Sequence, residues 1–304
     1  MGNVTHINKL HQLYREYPAN SRLVLQGNKP KTFFILVSGR LKVLRNDTLI
    51  DIIKDRGDYV GEIAILLDTR HNATVISETP ATLIPIDVAK VESFLFSTPN
   101  VAISLARRLS QRLVRVNREL AMIMKMNHFN IPIEEKFSEL HSNTKGNINL
   151  ENLKKYFIEY PKDTEILKQD NYPKALYILV NGEIEITKNN KTIARESKQG
   201  HYLGDVSILR DAASNATVTT KTKSTLIEIP VDKVESFLNH SPEIAISISK
   251  GLATRILSIN DYLMDVKATE INNYKEARVA VDQKPKGIVE KEILVDLLGF
   301  DPDG

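Results

Sequence analysis

The chain has 304 residues, of which 42% are hydrophobic and 26% charged, a composition that supports two ordinary domain cores and excludes disorder throughout. Its net charge of +3 excludes a strong global attraction to nucleic acid or to an anionic membrane, and we expect neither as a partner. The absence of cysteine excludes disulfides, thiolate metal sites and cysteine nucleophiles.

The beginning of the chain shows no targeting segment. Residues 1–7 contain no apolar run of signal-peptide length, and no stretch of the chain approaches the roughly 20 apolar residues of a membrane span. We therefore expect a cytoplasmic protein.

Residues 22–87 contain short runs of β-branched and aromatic residues that end at Gly, Pro or Asn-Asp turns, a pattern typical of strands. Their regular spacing favours a sandwich or jelly-roll barrel over a parallel sheet. The predicted strands are Arg22–Gln26, Thr32–Ser38, Arg40–Arg45, Ala73–Ser77 and Thr82–Asp87.

A glycine and an acid, Gly61 and Glu62, open a short apolar run between these strands. Glycine lets the backbone approach a ligand closely, and the carboxylate of Glu62 can accept hydrogen bonds from a pair of hydroxyls. Residues 63–67 are predicted to form one helical turn, whose unpaired N–H groups would face a bound phosphate. Residues 59–75, which we call the cassette, therefore predict a small cradle for a nucleotide or another anion.

From Val88 the apolar period becomes helical. A short helix is predicted at Lys90–Phe96 and, after Pro99, a long helix from about Val101 to Lys125. Apolar residues recur along the long helix at alternating steps of three and four, which makes a heptad seam that needs a partner. The seam consists of Ala106, Leu109, Leu113, Val116, Leu120 and Ile123.

The whole pattern occurs twice. Gly39 recurs as Gly182, and the same shift of 143 residues aligns the two halves without a gap. A second seam follows at Leu252, Ile256, Ile259, Leu263 and Val266. The two seams pair either with each other, as a pseudo-dimer within the chain, or with a second copy in a homodimer. We prefer the internal pairing, because tandem copies need no assembly step.

The predicted fold is mainly β with helices (α+β), with two β jelly-roll barrels that are each followed by a long C-terminal helix. Domain 1 covers residues 1–126, a linker covers 127–149, and domain 2 covers 150–267. A charged tail is predicted over residues 268–304, ending in a short amphipathic segment at 293–300 that is suited to docking.

The cassette resembles the phosphate-binding cassette of cyclic nucleotide-binding domains, whose pattern is Gly-Glu-Leu-Ala, a short spacer, Pro-Arg, two small residues, and Thr or Val. The resemblance covers about residues 10–125 and 150–267 and extends to the barrel fold. It implies that Glu62 takes the ribose hydroxyls and that an arginine pairs with the cyclic phosphate. His71 stands at the position of that arginine, and Arg70 directly precedes it.

Two interpretations of Arg70 and His71 stay open. Either the two residues together replace the missing phosphate-binding arginine, or they are ordinary surface residues. The candidate ligand-binding residues of domain 1 are Gly61, Glu62, Ile63, Ala64, Arg70, His71, Asn72, Ala73 and Thr74.

Domain 2 lacks the cationic residues of this motif. Asp205, one methylene shorter, stands in place of Glu62, and Ala213 and Ser214 replace Arg70 and His71. Burying a phosphate without a counter-charge is costly, so we expect a structural role for this cassette. A possible second pocket would be lined by Gly204, Asp205, Ser214 and Asn215.

The first long helix is rich in arginine. These residues lie mostly off the heptad seam, which predicts a solvated helix face rather than a nucleic-acid surface. They are Arg107, Arg108, Arg112, Arg115 and Arg118. The sequence contains no nucleophile elbow, Walker loop, dinucleotide-binding glycine turn or paired histidine spacing, so we expect no catalytic residue, metal or cofactor, and hence no enzyme.

These features favour a non-enzymatic sensor or adaptor in which domain 1 binds a cyclic nucleotide second messenger, either cAMP, cGMP or cyclic di-GMP, and signals to a protein partner. Regulatory subunits of protein kinase A carry tandem domains of this kind behind a dimerisation segment, for which residues 1–16 leave no room. The predicted tail is too short, and too poor in helix-turn-helix signals, for a DNA-binding domain, so we expect a protein without an output domain of its own. The alternative is a ligand-free protein–protein interaction scaffold with degenerate pockets.

Overall fold

The computed structural model describes residues 13–126 and 150–282. The predicted linker, residues 127–149, and the amphipathic segment 293–300 lie outside the described residues. By its contacts the chain divides into two units, Met1–Leu257, which holds both barrels, and Ser258–Gly304.

Within residues 13–126, domain 1 has eight strands in two antiparallel sheets. The strands are β1 (Arg15–Tyr17), β2 (Arg22–Val24), β3 (Thr32–Ser38), β4 (Leu41–Arg45), β5 (Thr48–Ile53), β6 (Tyr59–Val60), β7 (Thr74–Ser77) and β8 (Ala81–Asp87). One sheet has the order β1-β8-β3-β6 and the other β2-β7-β4-β5. Every neighbouring pair is antiparallel, so the two sheets form a jelly-roll barrel.

Domain 2 repeats this arrangement. Its strands are β9 (Phe157–Tyr160), β10 (Glu165–Leu167), β11 (Ala175–Asn181), β12 (Ile184–Lys188), β13 (Lys191–Glu196), β14 (Tyr202–Leu203), β15 (Thr217–Thr220) and β16 (Ser224–Pro230). The sheet orders are β14-β11-β16-β9 and β10-β15-β12-β13, the same two orders in repeat. The predicted pair of jelly-roll barrels is therefore confirmed.

Local sequence explains the hairpin that both barrels share. Asn46 and Asp47 join β4 to β5 with φ angles of 48° and 61°, and Asn189 and Asn190 join β12 to β13 with 50° and 64°. Two successive positive φ angles are the requirement of a tight hairpin turn whose twist matches that of the strands. Asn and Asp tolerate this region better than other non-glycine residues.

The core of each barrel follows the two-residue period of its strands. In β4, Leu41 and Val43 are buried while Lys42 between them is not. In β3, Phe34 and Leu36 join the barrel core. Leu41, Val43 and Leu83 belong to one cluster of buried apolar side chains inside the first barrel. Burial of these faces supplies most of the driving force for closing the barrel.

The described part of domain 1 also includes the helices α1 (Glu62–Leu66), α2 (Val88–Ser97) and α3 (Pro99–Met126). The side chain of Asp87 caps α2 by accepting a 2.9 Å hydrogen bond from the N–H of Ala89. Pro99 occupies the first position of α3, where its missing N–H costs nothing. The predicted seam is buried from Ala106 to Leu120, with Ile123 half-buried.

Domain 2 has a 3-10 helix at Leu150–Tyr156, then α4 (Asp205–Leu209), α5 (Val231–His240) and α6 (Pro242–Asp282). The last helix differs from the prediction, because it continues to Asp282 where a tail was expected from residue 268. The second seam is buried at Leu252, Ile256, Ile259 and Leu263. Pairing of the two seams with each other stays a prediction.

The first long helix joins the two barrels into one unit. α3 packs against α4 and α5, both from domain 2. Arg107 of α3 and Glu235 of α5 form an ion pair of 2.9 Å across this contact. None of the helices in residues 13–126 and 150–282 combines the length and apolar character that a membrane span requires.

Candidate ligand-binding site

Gly61 begins the cassette helix α1 in the left-handed region, with φ of 84° and ψ of 0°. A Cβ at this position would lie 3.2 Å from the carbonyl oxygen of Thr32 and 3.3 Å from Cε1 of His71. Glycine is therefore required here both for its backbone conformation and for close packing. Its counterpart Gly204 begins α4 with φ of 82°.

Glu62, the next residue, is a buried acid with a cationic partner. Its side chain is 5% exposed, and its Oε1 accepts a 2.8 Å hydrogen bond from Nη1 of Arg112, which comes from α3. Burial raises the pKa of the Glu62 carboxyl above its ordinary value, and the charge of Arg112 opposes that rise. The residue that sequence analysis assigned to ribose therefore also connects the cassette to the long helix.

Arg112 belongs to a larger network of charges between α3 and the barrel. Asp51 of β5 has its Oδ2 3.2 Å from Nε of Arg112 and 2.8 Å from Nη2 of Arg115. Arg108 lies 3.4 Å from Asp58 and donates to the carbonyl oxygen of Arg56 at 2.9 Å. The carboxylates of Asp51 and Asp58 therefore both lie close to arginine side chains on one face of α3.

The prediction that the arginines of α3 form a solvated face is wrong for Arg112, whose side chain is only 14% exposed, and incomplete for Arg108 and Arg115. These three residues have the helical spacing i, i+4, i+7, next to the buried seam. That spacing was the available signal, since a row of arginines beside an apolar seam lies at the edge of a packed interface. The acids that pair with it were not visible from spacing along the helix.

A small cleft with a cavity volume of about 30 Å³ lies beside α1. Seven of the nine predicted ligand-binding residues line it: Gly61, Glu62, Ile63, Ala64, His71, Asn72 and Ala73. Arg112 also lines it, and the remaining wall is aliphatic, from Val24, Val43, Ile50, Ile53, Val60 and Val75. The cleft thus combines an aliphatic wall with a few convergent polar groups, as small-molecule sites do.

Two predicted residues, Arg70 and Thr74, are not among the described lining residues of this cleft. The guanidinium of Arg70 donates to the carbonyl oxygen of Gly27 at 2.8 Å, at the surface. The hydroxyl of Thr74 accepts from the N–H of Gln26 at 3.1 Å. Both side chains therefore connect the cassette to the turn after β2.

His71 is buried in the cleft wall, with 7% of its surface exposed. Its N–H donates to the carbonyl oxygen of Asn28 at 2.9 Å, and its own carbonyl accepts from Gly27 at 2.7 Å. Burial lowers the pKa of the imidazole below its ordinary value, so the ring is neutral at pH 7. An uncharged side chain thus stands at the position where the sequence pattern of the resembled cassette has an arginine.

The cassette of domain 2 has an acid–arginine pair of the same kind. Asp205 is buried, and its Oδ2 accepts a 2.5 Å hydrogen bond from Nη2 of Arg255 of α6. Ser214, at the position of His71, donates its hydroxyl to the carbonyl oxygen of Ala216 at 2.8 Å. Asn215 is exposed, whereas Asn72 is half-buried in the first cleft.

Within the described ranges, His, Asp and Glu side chains do not form a group of three that could hold a metal ion.

Comparison with known proteins decides the family. The profile of the family described as "Cyclic nucleotide-binding domain" matches residues 14–98 and 157–241, more than half of the chain. The chain belongs to the cyclic nucleotide-binding domain family. Both matches contain a complete cassette, and they coincide with the two barrels.

The curated relatives include a protein kinase and a regulatory subunit of a protein kinase. The chain is 22% identical over 267 residues to a cGMP-dependent protein kinase of Plasmodium berghei, covering 88% of this chain and 28% of the kinase. It is 23% identical over 221 residues to a cAMP-dependent protein kinase regulatory subunit of Yarrowia lipolytica, covering 72% of this chain and 52% of that protein. The chain thus spans about half or less of these relatives.

Among solved structures, cAMP-bound PfPKA-R (141–441) is similar at 17% identity, with coverage of 99% of this chain and 86% of that chain and a TM-score of 0.34. The sequence did not reveal the roles of Arg112, Arg255 and Asp51, because each pairs with a side chain at least 50 residues away along the chain.

Proposed function

We propose that this protein is a non-enzymatic sensor that binds a ribose-containing ligand in the cleft of domain 1 and signals to a protein partner. One observation carries the proposal: the buried carboxylate of Glu62 lines the cleft and is hydrogen-bonded to α3 through Arg112. A ligand hydroxyl that binds Glu62 therefore contacts the carboxylate that also connects the cassette to α3.

The contact between Glu62 and Arg112 supplies a mechanism. Ribose hydroxyls donate to the carboxylate oxygens, and in doing so they compete with Arg112 for Glu62. Arg112 retains Asp51 as a partner, so its displacement does not leave a buried cation unpaired. Binding therefore changes how α3 is held against the barrel, and the change favours one of two packings.

The position of α3 gives this change a route to domain 2. α3 packs on α4 and α5, and Arg107 pairs with Glu235 across that contact. We propose that domain 2, whose cassette has Ser214 at the phosphate position, acts as the responding element rather than as a second sensor. A shift of packed helices by an ångström or two is a common form of such transitions.

The partner is proposed from the relatives. Because one of them is a regulatory subunit of a cAMP-dependent protein kinase, we propose that the partner of this chain is also a protein, with a protein kinase catalytic chain as the first candidate. The ligand-free scaffold is the competing function, and it is favoured by the neutral His71 at the phosphate position.

Isothermal titration calorimetry of the full chain tests the proposal, with cAMP, cGMP, cyclic di-GMP, adenosine and guanosine as probes. We expect at least one probe to bind, and we expect Glu62→Gln to weaken it about tenfold, the value of one hydrogen bond to a charged group. The matched variant Asp205→Asn should leave the affinity unchanged. Heat from no probe would favour the scaffold, and tight binding that Glu62→Gln does not alter would place the ligand elsewhere.

A further inference from the structure

The cleft of domain 1 carries no net positive charge. Among the residues that line it in the described structure, Glu62 and Arg112 are the charged ones, and they are paired with each other at 2.8 Å. Their charges cancel, and Asp51 provides Arg112 with a second carboxylate at 3.2 Å. An anion that entered this cleft would therefore find a cation already neutralised.

The two residues at the expected phosphate position add no charge. His71 is buried and neutral, because burial disfavours its protonated form. Arg70 directs its guanidinium to the carbonyl oxygen of Gly27 at the surface. A cyclic phosphate carries one negative charge, and its transfer from water to a site without a counter-ion is strongly unfavourable.

The remaining features of the cleft suit an uncharged ligand. The carboxylate of Glu62 is an acceptor with two oxygens, so it can take hydrogen bonds from two hydroxyls at once. A ribonucleoside offers free 2′ and 3′ hydroxyls, whereas in a 3′,5′-cyclic nucleotide the 3′ oxygen is esterified and only the 2′ hydroxyl donates. The aliphatic side chains of the cleft provide an apolar surface for a base.

From these observations we propose that domain 1 binds an uncharged ribonucleoside in preference to the corresponding cyclic nucleotide. The inference rests on the proposed function, since both place the ribose at Glu62. It goes beyond that function by specifying the charge of the ligand and the number of its free ribose hydroxyls. His71 then determines specificity, because it occupies the phosphate position without providing a charge.

The first test compares nucleosides with their cyclic phosphates on the unmodified full chain by isothermal titration calorimetry. We expect adenosine or guanosine to bind at least tenfold more tightly than the cyclic phosphate of the same base. We also expect 3′-deoxyadenosine to bind more weakly than adenosine, because it lacks the second hydroxyl. A cyclic nucleotide that bound as tightly as its nucleoside would overturn the inference and leave the proposed function intact. Binding of neither class would overturn both.

The second test restores a cation at the phosphate position. His71→Arg should shift the ratio of the two affinities at least tenfold toward the cyclic nucleotide. Ser214→Arg makes the same change at the equivalent position of domain 2, and it should leave the ratio of domain 1 unchanged. An unchanged ratio in a folded His71→Arg protein would show that charge at this position does not select the ligand. Should that variant fail to fold, the comparisons on the unmodified chain still decide the question.

Discussion

Each of the two cassettes has an acid–arginine ion pair, but the residues around the pair differ between the domains. Glu62 pairs with Arg112 and Asp205 with Arg255, in both cases across a sequence separation of 50 residues from cassette to long helix. In domain 1 four further charged side chains lie beside this pair, and domain 2 has other residues at their positions. At the positions of Asp51, Asp58, Arg108 and Arg115, domain 2 has Ala194, His201, Gly251 and Ser258.

This difference distinguishes the features that support the fold of both domains from those that are specific to domain 1. Both domains have a left-handed glycine followed by an acid that pairs with an arginine. These residues hold the short cassette helix against the long helix of the same domain. Domain 1 also has the additional acids and arginines named above. Among them, Asp51 allows Arg112 to leave Glu62 without becoming unpaired. The comparison predicts that the pair matters for stability in both domains and that Asp51 makes the pair exchangeable in domain 1.

The largest expected effect comes from breaking the pair. Arg112→Met leaves Glu62 buried beside Asp51 and Asp58, and we expect it to lower the free energy of unfolding by about 3–5 kcal/mol at pH 8. Loss of Arg112 raises the pKa of Glu62 further above its ordinary 4.5, so the folded state binds a proton more readily than the unfolded state. The loss relative to the parent should therefore be smaller at pH 5 than at pH 8.

Urea unfolding of parent and variant at both pH values measures this effect, and hydrogen exchange locates it in domain 1. Arg255→Met is the matched change in domain 2 and should cost a similar amount there. The double variant Glu62→Gln, Arg112→Met should recover most of the loss, because no buried charge is left unpaired. A loss that did not depend on pH would argue against an unpaired Glu62 as its cause.

A smaller effect is expected from making domain 1 resemble domain 2. Asp51→Ala introduces the residue found at position 194 and removes the acceptor of Arg115 while Arg112 keeps Glu62. We expect a loss of about 1–3 kcal/mol in urea unfolding, the cost of hydrogen bonds to a charged group. Asp55→Ala is the control, because Asp55 is exposed and 3.9 Å from Arg108. Equal losses in the two variants would contradict the role given to Asp51.

The smallest predicted difference concerns the two cassette glycines. Alanine at either position adopts a left-handed conformation that costs about 1–2 kcal/mol. Gly61→Ala should cost more than Gly204→Ala, since the nearest atom to the new Cβ is at 3.2 Å in domain 1 and 3.4 Å in domain 2. Thermal unfolding of the two variants compares them. A greater loss for Gly204→Ala would contradict this account of the packing.

Several elements of the fold were predictable because their determinants are local. Thr32–Ser38 was predicted as a strand with the bounds that the structure has for β3, since β-branched and aromatic residues end there at a glycine. The two residues of β6, Tyr59–Val60, were not predicted, because two residues show no period. α6 continues past residue 267, where a charged composition suggested a tail.

The sequence by itself determined that one domain occurs twice, that each copy is a barrel with a long helix, and that Gly61 and Glu62 open its cassette. Repeats, periodicity and short motifs carry this information within a few residues of one another. Only the tertiary structure decided that Arg112 neutralises Glu62, that Asp51 completes the network, and that Arg70 points away from the cleft. Ion pairing depends on distances between side chains that are far apart in the chain, and only folding sets those distances.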